Sequence, residues 1–336
     1  MAPLLRSVDG EAVARRLDIS GLVLIGLTAL WTVIASLGRS SARPFPVLGL
    51  LAALTAMALI GRRWSGHQVP GLVAVSVTGA LVLGFPDVLR AGGGPTGYAN
   101  ANATVASMAA VAAAATVAAA PQRDRLRWVV VAVALIVAVP ATRSVAGVLT
   151  LGASAMLALA STVLRSVVPA VLGGLVAVSL TLGVTIAVAD GGNPLGLGER
   201  AALRADLWAS ALDALRDEPL RGLGPGAYEE RAALSPDDDF RWAHHGYLQQ
   251  GAEQGIPGLL LVLALLGWAS VRLWRAAAAD QARAVAGASV LTVLALHASV
   301  DHVLHHAAAP LVGALLFGWA TRGPDRRLPP AAAAQA

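Results

Sequence analysis

The chain has 336 residues, of which 56% are hydrophobic and 13% charged, with a formal net charge of +5. A soluble domain carries roughly 25% charged residues, so this composition excludes an ordinary soluble fold and its surplus apolar surface calls for lipid. The absence of cysteine excludes disulfides and Cys-ligated metals or clusters, and all 25 basic residues are arginine.

Apolar windows of the length needed to cross a bilayer, roughly 17 to 25 residues, follow one another along the chain. About ten spans are expected, near 20–38, 45–61, 69–86, 98–120, 127–142, 144–161, 168–189, 256–272, 284–300 and 308–321. Only "PATRS" separates the fifth from the sixth, and Pro140 could kink one helix there instead of ending it. The fold class is therefore all-α: a polytopic integral membrane protein. It divides into an N-terminal bundle over 1–189, a long loop over 190–255, a C-terminal group of spans over 256–321 and a tail over 322–336.

Arginine in short loops resists translocation, whereas acids count for little. With the N-terminus in the cytoplasm, fifteen of the 25 arginines fall on the inside, and six of the other ten lie in the long loop. Both termini are then cytoplasmic and the long loop exterior. That loop also carries twelve of the 20 acids, so the outer face is acidic and nucleic acid is not an expected partner.

The long loop is the sizeable stretch that is neither span nor short connection. "GERAALRADLWASALDAL" spaces Leu203, Leu207, Ala211, Ala214 and Leu215 as an amphipathic helix on the membrane surface, with Arg200, Arg204 and Trp208 on an adjoining face. "RDEPLRGLGPGAY" ends that helix at Pro219 and alternates Gly222, Gly224 and Gly226, which predicts a tight turn; no strand precedes it as a dinucleotide site would require. "SPDDDFRWAHHGYLQQGAEQGIPG" reads as a polar turn, a short helix and then the eighth span.

"PLRGLGPGAY" followed by "AHHGYLQQGAEQGIPGLLL" at the opening of a span resembles the O-antigen ligase and O-antigen polymerase family of bacterial membrane glycosyltransferases. The likeness runs through His244, Leu248, Glu253, Gly255 and Gly258, with His245 where the family usually has Asn. "LRADLW" resembles its Arg-x-x-x-Trp segment at Arg204, and "PATRSVAGVL" resembles the start of an earlier helix and places a second arginine at Arg143. The resemblance covers about 142–261. It implies a GT-C-like enzyme of the bacterial cytoplasmic membrane that passes a glycan from a polyprenyl-pyrophosphate carrier to a glycan or lipid acceptor at the outer face. It implies no cofactor and an inverting reaction.

The chemistry gives the residues matching roles. Negative charge grows on the leaving pyrophosphate, which suits the planar, permanently charged forks of Arg143 and Arg204. The attacking hydroxyl must lose a proton, which suits His244 as general base. Trp208, Arg221, Tyr247, Gly222, Gly224 and Gly226 are assigned to substrate binding, His245 and Glu253 to structural support. Plainer readings stand beside these: an interfacial histidine at 244, a snorkelling arginine at 204 and a span-flanking charge at 143. On a continuous helix Glu253, nine positions past His244, would face the opposite way and anchor the loop.

No metal is expected. Asp237, Asp238 and Asp239 read as a solvated turn, and "DHVLHH", with Asp301, His302, His305 and His306, as a polar rim beside the donor site although His302 and His306 have ligand spacing. A transporter or flippase of lipid-linked sugars would want charges deep in several spans and repeated half-structures, and the sequence shows neither. A non-catalytic membrane protein would leave the Arg, Arg, His set without a reason.

Overall fold

The computed structural model describes residues 2–64, 68–84, 94–191, 199–232 and 241–323. Asp237, Asp238, Asp239 and the tail beyond 323 lie outside them. All regular structure among the described residues is helical: α1 (Ala2–Ser36), α2 (Pro44–Arg63), α3 (Gln68–Leu83), α4 (Ala99–Ala119), α5 (Gln122–Ala141), α6 (Val145–Val163), α7 (Val168–Gly191), α8 (Glu199–Asp217), α9 (Tyr228–Arg231), α10 (Gly246–Ala276), α11 (Gln281–Ala298), a 3₁₀ turn (Val303–His305) and α12 (Ala308–Ala320).

A helix stands at each of the ten expected spans. Seven are long and apolar enough to cross a membrane: α1 from Ala12, α2, α4, α6, α7, α10 and α11. The α3 and α12 helices have 16 and 13 residues; at 1.5 Å per residue α12 reaches roughly 20 Å, against about 30 Å of hydrocarbon. The α5 helix opens on the charged "QRDRLR". The fifth and sixth expected spans are two helices, not one kinked rod. Thr142 closes α5, Arg143 takes a left-handed backbone (φ 60°), and the Ser144 hydroxyl caps α6 by accepting from the Gly147 N–H at 2.9 Å.

Two helices form the centre. The most apolar windows of α4 and α11 are each 72% buried, α4 against α3, α5 and α11, and α11 also against α6, α7 and α12. Their runs of Ala, Ser and Thr permit this, because small side chains let helix backbones approach closely in lipid. The outer helices turn large apolar side chains outward, among them Leu149, Leu172 and Leu260.

Polar contacts define two ends. At one, Arg62 and Arg272 both bind Asp18 (2.8 and 3.0 Å), Arg272 donates to the Thr321 carbonyl and Arg322 to that of Trp64. At the other, the α1–α2 connection grips the turn after α8. Arg39 pairs with Glu218 at 3.1 Å, Arg43 with Glu229 at 3.4 Å, the Arg43 N–H donates to the Pro225 carbonyl, and an Arg221 guanidinium N–H donates to that of Leu37.

The loop helix α8 packs on α7 and α10. Leu207, Ala211 and Ala214 are buried, and the Tyr228 hydroxyl donates to the Leu207 carbonyl at 2.6 Å. The α10 helix is in fact two pieces. Gly255 (φ 67°, ψ −172°) interrupts it, so a short helix from Gly246 precedes the apolar rod. A Cβ at Gly255 would lie 2.4 Å from the Leu220 carbonyl oxygen, which is how closely the turn after α8 seats on the break. The Ile256 N–H donates to the Pro219 carbonyl at 2.8 Å and fixes the two together.

Candidate functional site

Sequence reasoning expected His244 and Glu253 on one continuous helix. Instead His244 precedes α10, in a left-handed conformation (φ 47°) that costs an L-residue roughly 1 kcal/mol. The next residue is the N-cap: His245 Nδ1 accepts from the Leu248 N–H at 3.2 Å. Both imidazoles are fully buried. Burial pushes His245 down to about 4, so its ring stays neutral at neutral pH.

The left-handed step aims His244 at Asp301, in the connection after α11. His244 Nδ1 lies 3.8 Å from Asp301 Oδ2, and the Gly246 N–H donates to the Asp301 carbonyl at 3.1 Å. The carboxylate is itself held from three sides. The Tyr98 hydroxyl reaches its oxygens at 2.8 and 2.9 Å, the Asn100 amide donates to it, and the His302 N–H donates at 2.6 Å. Burial alone would push Asp301 up, but His244 and His302 beside it hold the carboxyl well below its usual range. The result is a buried carboxylate directly beside the His244 imidazole.

The first turn of α4 is tied from below. His297 Nδ1 sits 2.7 Å from the Thr104 hydroxyl, which donates to the Asn100 carbonyl at 2.7 Å. Aromatic rings close the other side. His302 meets His244 edge-on with centroids 4.7 Å apart, Tyr98 stacks on His306 at 4.6 Å, and Trp242 packs on His305 at 4.3 Å. The "DHVLHH" segment expected as a rim thus contributes Asp301 to the centre.

His244, Asp301 and His302 each offer a ligand atom, all within 4.8 Å of one another. Both Asp301 oxygens accept hydrogen bonds from neighbouring groups.

Glu253 points the other way. One oxygen accepts from the Gly226 N–H at 2.8 Å and the other from the Gln249 amide at 3.0 Å, while its carbonyl accepts from the Gly224 N–H at 2.8 Å. The glycine turn wraps this carboxylate. At Gly222 (φ 63°) a Cβ would come within 2.4 Å of the Glu253 carbonyl carbon, so the turn's approach requires glycine. Gln249 links the two halves, since its amide also reaches His305 Nε2 at 3.3 Å.

Arg143 shares the His244 end of the bundle. It is exposed, and its guanidinium has no polar partner among the described residues. Four positions on, Gly147 packs on Ala103 in the first turn of α4. Arg204, on α8, is half-buried and equally without a polar partner among the described residues. No contact joins either arginine to His244. Of the other assigned residues, Trp208 packs against the α8 core, Arg221 binds the Leu37 carbonyl, and Tyr247 is buried with its hydroxyl donating to the Ala295 carbonyl at 3.1 Å.

Asp301, Tyr98 and Asn100 were not foreseen around His244. The signal available was polar residues at span ends: "YANAN" opening an apolar helix and a lone acid closing another.

These features define a polytopic helical membrane protein with a buried histidine–carboxylate centre at one end. Residues 130–263 match the family model described as O-antigen ligase. The match takes in Arg143, Arg204, the glycine turn and His244 and ends before Asp301. A search of curated proteins gave no match.

Proposed function

We propose that the protein transfers a glycan from a polyprenyl-pyrophosphate carrier to an acceptor hydroxyl at the outer face of a bacterial cytoplasmic membrane, with inversion and without a metal. Support comes from the family segment and above all from one observation: His244 Nδ1 lies 3.8 Å from the buried Asp301 carboxylate. With Nδ1 nearest that carboxylate, the His244 imidazole is the base that takes the acceptor proton. The hydroxyl oxygen attacks the anomeric carbon, the bond from that carbon to the phosphate oxygen breaks, and the electron pair leaves on the pyrophosphate. Arg143 and Arg204, two guanidiniums without polar partners among the described residues, stabilise that charge. Asp301 is a positioning residue that acts through His244.

The test uses purified protein, a lipid-linked glycan donor and an acceptor. His244→Ala lowers transfer by about 10² to 10⁴ while donor binding survives. Asp301→Asn lowers the rate and shifts its pH profile without raising donor KM. Arg143→Ala and Arg204→Ala weaken donor binding as well as transfer, and Lys at either position restores part of it. Excess EDTA leaves the wild-type rate unchanged. Full activity of His244→Ala, or EDTA inactivation reversed by a divalent ion, overturns the corresponding part.

A further inference from the structure

Between α1, α2, α10, α11 and α12 lies an apolar cavity of about 270 Å³. For scale, an apolar cavity of roughly 150 Å³ in another protein takes up benzene. Its wall includes Leu51, Leu54, Leu265, Leu294 and Phe317, and no charged side chain. The α11 stretch of the wall, Val290 to Ala298, spans roughly 12 Å at 1.5 Å per residue, so the space is elongated along the helices.

Its upper end is built from Tyr247, Ala298 and Leu304. Those residues adjoin Gly246, whose N–H binds the Asp301 carbonyl and whose position packs on Ala298 and Leu304. The cavity therefore ends directly beneath the His244–Asp301 pair. No residue of α4 to α8 lines it, so the elements that carry Arg143 and Arg204 lie on other faces of α10 and α11.

We infer that this cavity holds the hydrocarbon chain of a lipid-anchored acceptor. The inference rests on the glycan-transfer reading above. A pyrophosphate donor is drawn to the arginine side, which leaves the histidine side, with its uncharged elongated slot, for the second substrate. An acceptor whose chain occupies the slot places its headgroup at the base that must deprotonate it. A cavity of about 270 Å³ has room for part of a hydrocarbon chain but not for a helix, whose diameter with side chains is about 10–12 Å.

Two measurements test this. In nanodiscs, a single-chain glycolipid bearing a diazirine near the chain end should label Leu51, Leu54, Leu265 or Leu294, and Ala314→Phe, which fills the slot, should abolish that labelling. Geranylgeranyl pyrophosphate should not compete. In transfer assays, Ala314→Phe should raise KM for the anchored acceptor on the order of tenfold, the worth of a few displaced methylenes. Donor KM and the rate with the same acceptor stripped of its chain should stay unchanged. Labelling confined to the outer belt, competition by geranylgeranyl pyrophosphate, or a rise in donor KM instead overturns the assignment. Labelling needs no turnover, so absence of any transfer by wild type with labelling intact would sink the parent reading and not this one.

Discussion

His245 separates packing from chemistry at the residue scale. Its ring is buried and neutral, pushed down to about 4 by desolvation, whereas an unfolded histidine titrates near 6.5. A depressed folded value means that its contribution to stability is complete above about pH 6.5 and is lost as pH falls toward 4, worth on the order of 3 kcal/mol. His245→Asn keeps an N-cap acceptor for the Leu248 N–H and removes the titrating ring. Thermal melts in detergent should then show less loss of stability between pH 6.5 and 4 than wild type, with transfer at neutral pH nearly unaltered. An unchanged melting profile would mean that the ring is hydrated in the folded protein.

The same scale shows what sequence could and could not convey. The motif order singled out His244 and Glu253, which the structure places in separate surroundings. Asp301, 57 positions beyond His244 (301 − 244), could be flagged only as an ionisable group at a span end. Its pairing with His244 depends on the left-handed backbone at His244, which no side-chain pattern announces.

At the scale of elements, the apolar windows marked every helix of the bundle because lipid demands a long uninterrupted apolar run. The sequence separated a short helix from the span beginning at 256, but it did not show that Gly255 makes the break with a backbone turned out of the helical region. Its conformation is one that essentially only glycine adopts. Gly255→Ala should therefore destabilise by about 1–3 kcal/mol from backbone strain, and by more as the Leu220 carbonyl is displaced. Gly267, in the same helix with nothing near its absent Cβ, is the contrast. There Ala should be neutral or stabilising by up to about 1 kcal/mol. Equal effects in a melting assay would show that α10 does not need its break. Loss of donor transfer in Gly255→Ala at temperatures where it stays folded would tie the break to the seating of the glycine turn.

For the whole molecule, the decisive question is which end faces out. Arg39 and Arg43 sit at the His244 end, against the tendency of arginine to stay inside, yet each is paired with an acid of the long loop, Glu218 or Glu229. Their charge is matched locally, whereas the Arg143 guanidinium at that end has no polar partner among the described residues. The opposite end gathers Arg62, Arg272, Arg283 and Arg322, and the charge rule predicts that it faces the cytoplasm. Because the chain contains no cysteine, single cysteines can report this. Leu220, exposed on the turn after α8, and Ala278, exposed after α10, lie at opposite ends. In intact cells an impermeant maleimide should label Leu220→Cys and leave Ala278→Cys unreacted until the membrane is opened. The reverse pattern would put His244 and its arginines in the cytoplasm and exclude transfer at the outer face. Labelling of both before permeabilisation would contradict a bundle with two sealed ends.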